Sequence, residues 1–114
     1  SKTLEEWTTH LGIDIESKVG TAVKACANGT VSDVYEDELW GIVIVIDHGN
    51  DLKSKYTNLS TTEMVRVGTS IKKGDTISGI GNPTGLELAE VPHLHFEIIQ
   101  NEKNVDPKKF LPDY

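Results

Sequence analysis

Apolar and polar residues alternate along this chain in short stretches, and turn-forming residues interrupt them before a helical period can build up. Gly12, Gly20, Asn28-Gly29, Gly41, Gly49-Asn50, Gly68, Gly74, Gly79, Gly81 and Asn82-Pro83 punctuate the sequence, a spacing that predicts strands joined by tight turns. Val23, Ala25 and Ala27 alternate with Ala22, Lys24 and Cys26. The run Ile42 to Ile46 is continuously apolar and β-branched, which predicts a central strand buried on both faces. A second layer must cover it. From Val65 to Ile80, β-branched residues recur between Val67-Gly68, Lys73-Gly74 and Gly79, and the pattern predicts hairpins. Helical turns are expected only in Leu4 to Thr9 and in Asp106-Pro107-Lys108-Lys109-Phe110, where Asp106 can cap and Pro107 suits the first helical position. The expected fold is mostly β: an antiparallel sheet with a second small sheet, the two forming a groove, in one domain spanning residues 1–114.

Composition narrows the classes of function. A chain of 114 residues supports one hydrophobic core, so any site must be built within it. The formal charge of −7 argues against nucleic acid as partner, because phosphate neutralisation needs clustered Lys and Arg. Cys26 has no second cysteine to pair with, and its alanine neighbours suggest a small buried side chain. No apolar run approaches the roughly 18 residues that cross a bilayer. The chain opens on Ser1-Lys2-Thr3 without a signal peptide, which leaves a leader or anchor upstream of Ser1 open, so composition does not give the localisation.

Two sets of residues carry chemistry. In His93-Leu94-His95-Phe96-Glu97-Ile98, strand alternation puts both imidazoles and Glu97 on one face and turns Leu94, Phe96 and Ile98 to the core. On its own the His-x-His pair is a weak signal and reads first as two polar residues on a solvent-facing strand. The second set is His10-Leu11-Gly12-Ile13-Asp14. In a straight strand its ends would lie roughly 13 Å apart, so sharing an ion requires a bend, which Gly12 permits; Asp14 can also be a surface partner for a lysine. Two histidines and one carboxylate are nonetheless a common ligand set for zinc with an open fourth position. His93 would flank that metal, and Glu97 would orient an imidazole. Trp7 and Trp40 read as partial core or as anchors for a partner, and Glu36-Asp37-Glu38 as an acidic loop.

His-x-x-x-Asp followed far downstream by His-x-His, with glycine corners and apolar strands between, resembles the lysostaphin and LytM-type zinc endopeptidases. Gly20-Thr21-Ala22-Val23, Asn28-Gly29-Thr30-Val31, His48-Gly49-Asn50, Ile71-Lys72-Lys73-Gly74-Asp75-Thr76-Ile77 and Pro92-His93-Leu94-His95-Phe96-Glu97 match as well. The resemblance runs from about His10 to Phe110. It implies Zn2+ as cofactor with His10, Asp14 and His95 as ligands, His93 as a catalytic histidine that binds and polarises water, and peptidoglycan peptide cross-bridges as substrates. His48 falls in a turn that the family shares.

One position departs from the family. Where its members typically read Tyr-x-His-Leu and use the histidine catalytically, this chain reads Tyr56-Thr57-Asn58-Leu59. Asparagine has no group that titrates near neutral pH and cannot act as a general base, so a catalytically degenerate domain is expected, with an active endopeptidase as the alternative. This position and the opening Trp7-Thr8-Thr9-His10-Leu11-Gly12-Ile13-Asp14 most resemble the sporulation branch of the family, the stage II sporulation protein Q group of clostridial endospore formers. That resemblance implies a membrane-anchored, extracytoplasmic domain facing the space between forespore and mother cell, which acts in engulfment with stage III sporulation protein AH.

Overall fold

A computed structural model describes residues 12–82 and 92–107, the side chains of residues 12–14 excepted. The expected helical turn at Leu4 to Thr9, Trp7, His10 and Lys108 to Phe110 lie outside the described residues.

Short segments bounded by turn residues form nine strands among the described residues: β1 (Gly12–Glu16), β2 (Ala22–Lys24), β3 (Gly29–Asp37), β4 (Gly41–Gly49), β5 (Leu52–Leu59), β6 (Ser70–Ile71), β7 (Thr76–Gly79), β8 (His93–Gln100) and β9 (Lys103–Val105). Seven of them make one antiparallel sheet in the order β1-β8-β5-β4-β3-β6, with β9 also paired to β8, while β2 and β7 make a second. The expected fold, an antiparallel sheet with a small second sheet, is therefore the observed one.

The apolar run Ile42 to Ile46 lies in β4, between β3 and β5. Ile44 and Ile46 are fully buried in the core with Val31, Tyr56, Phe96 and Ile98 of the large sheet and Val23 and Ile77 of the small one. Val43 and Val45, on the other face, are buried too. The segment Val65 to Ile80 departs from expectation. Its corners are turns, but β6 pairs with β3 and β7 pairs with β2, so these two strands do not pair with each other. The Lys72–Asp75 turn carries the chain from one sheet to the other, because each strand must find a free edge in a different layer; local alternation does not encode which edge.

Candidate metal and peptidase site

β8 supplies most of the site. Leu94, Phe96 and Ile98 point into the core, so His93, His95 and Glu97 share the opposite face. His93 and His95 are buried, which removes the reading of two polar residues on a solvent-facing strand. The pairing sets Asp14 of β1 directly opposite His95 on one side and Thr57 of β5 opposite it on the other. Val43 of β4 then faces Thr57, closing the groove floor with an apolar residue.

His95 is held by a chain of polar contacts. Its Nε2 lies 2.6 Å from Glu97 Oε2, and the other carboxylate oxygen, Oε1, accepts from Asn104 Nδ2 at 2.7 Å. Burial pushes the Glu97 carboxyl up, but the hydrogen bond and charge of His95, the Asn104 amide and the Lys55 ammonium more than offset it and hold the group below its usual range. Carboxylate on Nε2 fixes the ring and its tautomer, so the nitrogen with which His95 can serve a metal is Nδ1. Trp40 stacks on the same ring, with centroids 6.4 Å apart and planes 27° from parallel. The sequence reading placed Trp40 in the core or at a partner surface and missed this contact. It is positioned by Asp37, whose Oδ1 accepts from the backbone N–H groups of Leu39 and Trp40 at 2.7 and 3.0 Å. Part of the expected acidic loop thus belongs to the turn beside the site.

Asn58 is the residue at which β5 bulges. Ile42 faces Leu59 and Val43 faces Thr57, so Asn58 has no opposite number on β4 and takes φ +68°, a left-handed conformation that asparagine tolerates better than most residues. Its side-chain amide, fully buried, donates to the carbonyl oxygen of His93 at 2.8 Å and approaches that of Gly81 at 3.5 Å. Its backbone bridges Trp40 and Gly81. The amide is spent on backbone carbonyls, because a buried NH₂ must find an acceptor and the bulge aims it at these. Gly81 has to be glycine for this junction, since a Cβ there would lie 2.7 Å from the Leu59 carbonyl oxygen.

His48, expected in a turn, ties the end of β4 to its neighbours: Nδ1 lies 2.6 Å from the Asn28 carbonyl and Nε2 2.7 Å from Ser54 Oγ. Cys26, expected to be simply buried, is half-buried and sits 4.0 Å from His48 Nε2.

Of the expected zinc ligands, His95 is in place and Asp14 is opposite it by register, whereas the Asp14 side chain and His10 lie outside the described residues. Among the described residues no three His, Cys, Asp or Glu side chains gather around a metal position. Two observations fit a metal here. His95 has its remote nitrogen on a carboxylate, as metal-binding imidazoles commonly do. Beside it, the buried Thr57 hydroxyl has no hydrogen-bond partner among the described residues, a polar atom that a water held on a metal would satisfy.

Known proteins resemble this chain in sequence and in fold. The chain is 37% identical over 99 residues to an uncharacterized metalloprotease of Haemophilus influenzae, covering 86% of this chain and 20% of that protein. It is 32% identical to the peptidoglycan DD-endopeptidase ShyC of Vibrio cholerae, covering 87% of this chain and 22% of that one. The murein hydrolase activator NlpD of Escherichia coli is 36% identical, with 89% and 26% covered. The chain thus spans between a fifth and about a quarter of these relatives' length. Among solved structures, a putative peptidase M23 from Pseudomonas aeruginosa superposes with a TM-score of 0.82 at 29% identity, over 93% of this chain and 45% of that one. A zinc-containing peptidase from Vibrio cholerae gives 0.77 at 32%, over 85% and 29%. The SpoIIQ-SpoIIIAH pore forming complex gives 0.70 at 28%, over 76% and 54%. Peptidase family M23 itself matches residues 8–107. With a groove face built on His93-x-His95 and a match across nearly its whole length, this chain belongs to peptidase family M23.

Proposed function

We propose that the domain binds one zinc ion through His10, Asp14 and His95 and acts as a catalytically degenerate M23 domain, an extracytoplasmic interaction module of sporulation and engulfment whose partner is stage III sporulation protein AH. The observation that carries the reading is Asn58: its amide is committed to the His93 carbonyl, where an active enzyme of this design needs a titrating imidazole. Zinc, when bound, supplies Lewis-acid polarisation of a carbonyl and a water of lowered pKa. This chain's own residues would then do the following. Glu97, steadied by Asn104, holds the His95 ring, Trp40 covers one face of it, and His93 is the one catalytic imidazole for proton transfer. Asn58 moves no proton. The likeness to the SpoIIQ-SpoIIIAH pore forming complex supports the partner; a membrane-anchored position facing the space between forespore and mother cell is part of the same proposal. That a relative is named as a murein hydrolase activator supports a role other than cutting.

The second reading is an active zinc endopeptidase on peptidoglycan peptides, favoured by the buried His93 and His95 side by side on β8 and by the likeness to a peptidoglycan DD-endopeptidase. Incubating the zinc-loaded domain with cell-wall sacculi, and separately with the purified partner domain, distinguishes them. Complex formation without released peptides supports the module; released peptides, abolished by His93→Ala, establish the enzyme.

A further inference from the structure

The turn between β3 and β4 touches a strand that neither of them pairs with. β5 lies between β4 and β8, yet the ring of Trp40, which follows β3, stacks on the ring of His95 in β8, with centroids 6.4 Å apart and planes 27° from parallel. Reaching across a strand in this way requires a turn of fixed shape, and several contacts fix it. Asp37 pairs with Gly41 across the turn, and Gly41 takes φ +76°, an angle that glycine adopts freely. Asp37 Oδ1 accepts from the backbone N–H groups of Leu39 and Trp40 at 2.7 and 3.0 Å, the side-chain cap that aspartate supplies to turns. The Trp40 carbonyl accepts from the Asn58 backbone N–H at 3.1 Å. That donor is free for the purpose because of the bulge on β5: Asn58 has no opposite residue on β4, so its N–H stands outside the ladder.

The effect of the contact follows from the geometry of an imidazole. Glu97 holds His95 by Nε2, an atom near the axis about which the ring turns on its Cβ–Cγ bond. The carboxylate therefore settles where the ring sits and which tautomer it adopts, and holds its plane only weakly. Nδ1, the nitrogen left for a metal, is farther from that axis and swings with the plane. A flat side chain laid on the face of the ring stops the swing. A metal meets an imidazole nitrogen in the plane of the ring, so a group on the face does not compete with it. The indole stays partly exposed while His95 is buried, and a bond such as that of His95 to Glu97 strengthens where water is kept away.

We infer that Asp37, Trp40 and the backbone of the β5 bulge form a positioning clamp, which holds the His95 ring in the plane that turns Nδ1 to the metal. The inference rests on the zinc reading above and adds residues that bind no metal themselves: Asp37 acts through Trp40, and Trp40 through His95. A ligand already held in its bound arrangement costs less to order on binding, so the clamp is read as metal affinity. It also gives position 58 a role that needs no titrating group, since the Asn58 backbone holds the turn while its side chain is spent on the His93 carbonyl.

The test is the zinc affinity of the whole chain, by competition with a chromophoric chelator, in the unaltered protein and in Trp40→Ala, Trp40→Phe, Asp37→Ala, Asp37→Asn and the double variant Asp37→Ala/Trp40→Ala. Trp40→Ala should weaken binding about 3–10-fold, the worth of one aromatic pair, and Trp40→Phe, which keeps a flat ring, should recover most of the loss. Asp37→Ala should weaken binding by a smaller factor. Asp37→Asn, which keeps the accepting oxygen and removes the charge, should bind as the unaltered protein does. The double variant should lose no more than Trp40→Ala alone, because Asp37 reaches His95 only through the indole. Asp37 lies in a surface turn, so its two variants decide the matter if Trp40→Ala does not fold. Undiminished affinity in Trp40→Ala or in Asp37→Ala, losses that multiply in the double variant, or an Asp37→Asn protein as weak as Asp37→Ala would each overturn the clamp and leave the zinc reading standing. Absence of zinc from the unaltered protein would overturn both.

Discussion

Replacing Asn58 with alanine tests whether the bulge on β5 is built around this side chain. The substitution removes the buried Nδ2 donor from the His93 carbonyl, a 2.8 Å bond, and losing such a bond with its acceptor left in the interior costs about 1–3 kcal/mol. Alanine must also adopt the φ of +68° found at this position, where a Cβ without a local polar partner costs about 1 kcal/mol more. The sum is about 2–4 kcal/mol, which at about 4 °C per kcal/mol for a chain of this size is a fall in Tm of about 8–16 °C. Asn58→Gly separates the two contributions, since glycine accepts the backbone angle and lacks only the amide. Thermal and urea unfolding, followed by circular dichroism on zinc-free protein, read both variants. Asn58→Ala should be the less stable of the two. A loss under about 0.5 kcal/mol in Asn58→Ala, the size of an ordinary surface change, would refute the claim that this amide holds the junction of Trp40, Gly81 and His93.

Further outcomes follow from the same geometry. Glu97→Ala, which frees the His95 ring from its carboxylate, should weaken zinc binding about 10–100-fold, measured by competition with a chromophoric chelator. In zinc-free protein burial pushes the Glu97 carboxyl up, but the hydrogen bond and charge of His95, with Asn104 and Lys55, outweigh it and hold the group below its ordinary value. Its contribution to stability is therefore present above that ordinary value and lost as pH falls through the folded value, so Glu97→Gln should flatten the acid limb of a stability–pH curve. Asn58→His restores a titrating group worth roughly 10²–10⁴-fold in rate where it reaches the reacting atoms. Release of peptides from sacculi should rise in this variant if the groove admits substrate, and unchanged silence would place the defect in the groove rather than in one side chain.

How much of this was legible beforehand depended on how local the determinant is. The burial of Ile42 to Ile46 and the facing of His93, His95 and Glu97 away from Leu94 and Phe96 follow from alternation within one strand, and both were readable. The separation of β6 and β7 into different sheets was not, because the partner of a strand is set by contacts remote in sequence. Trp40 on the His95 ring joins a turn after β3 to the middle of β8, and no spacing signals it. Asn58 shows both sides. Its identity marked the departure from the family pattern, yet the bulge and positive φ that aim its amide at the His93 carbonyl arise from the register of β4 against β5.

The proposed zinc site of His10, Asp14 and His95 is tested most directly by metal content, measured by mass spectrometry after zinc loading and dialysis, on the unaltered protein and on His10→Ala, Asp14→Ala and His95→Ala. The unaltered protein should hold about one zinc per chain, as a three-ligand site with an open fourth position does, and each variant should lose it. Undiminished zinc in a variant would remove that residue from the site, and no zinc in the unaltered protein would contradict the claim outright.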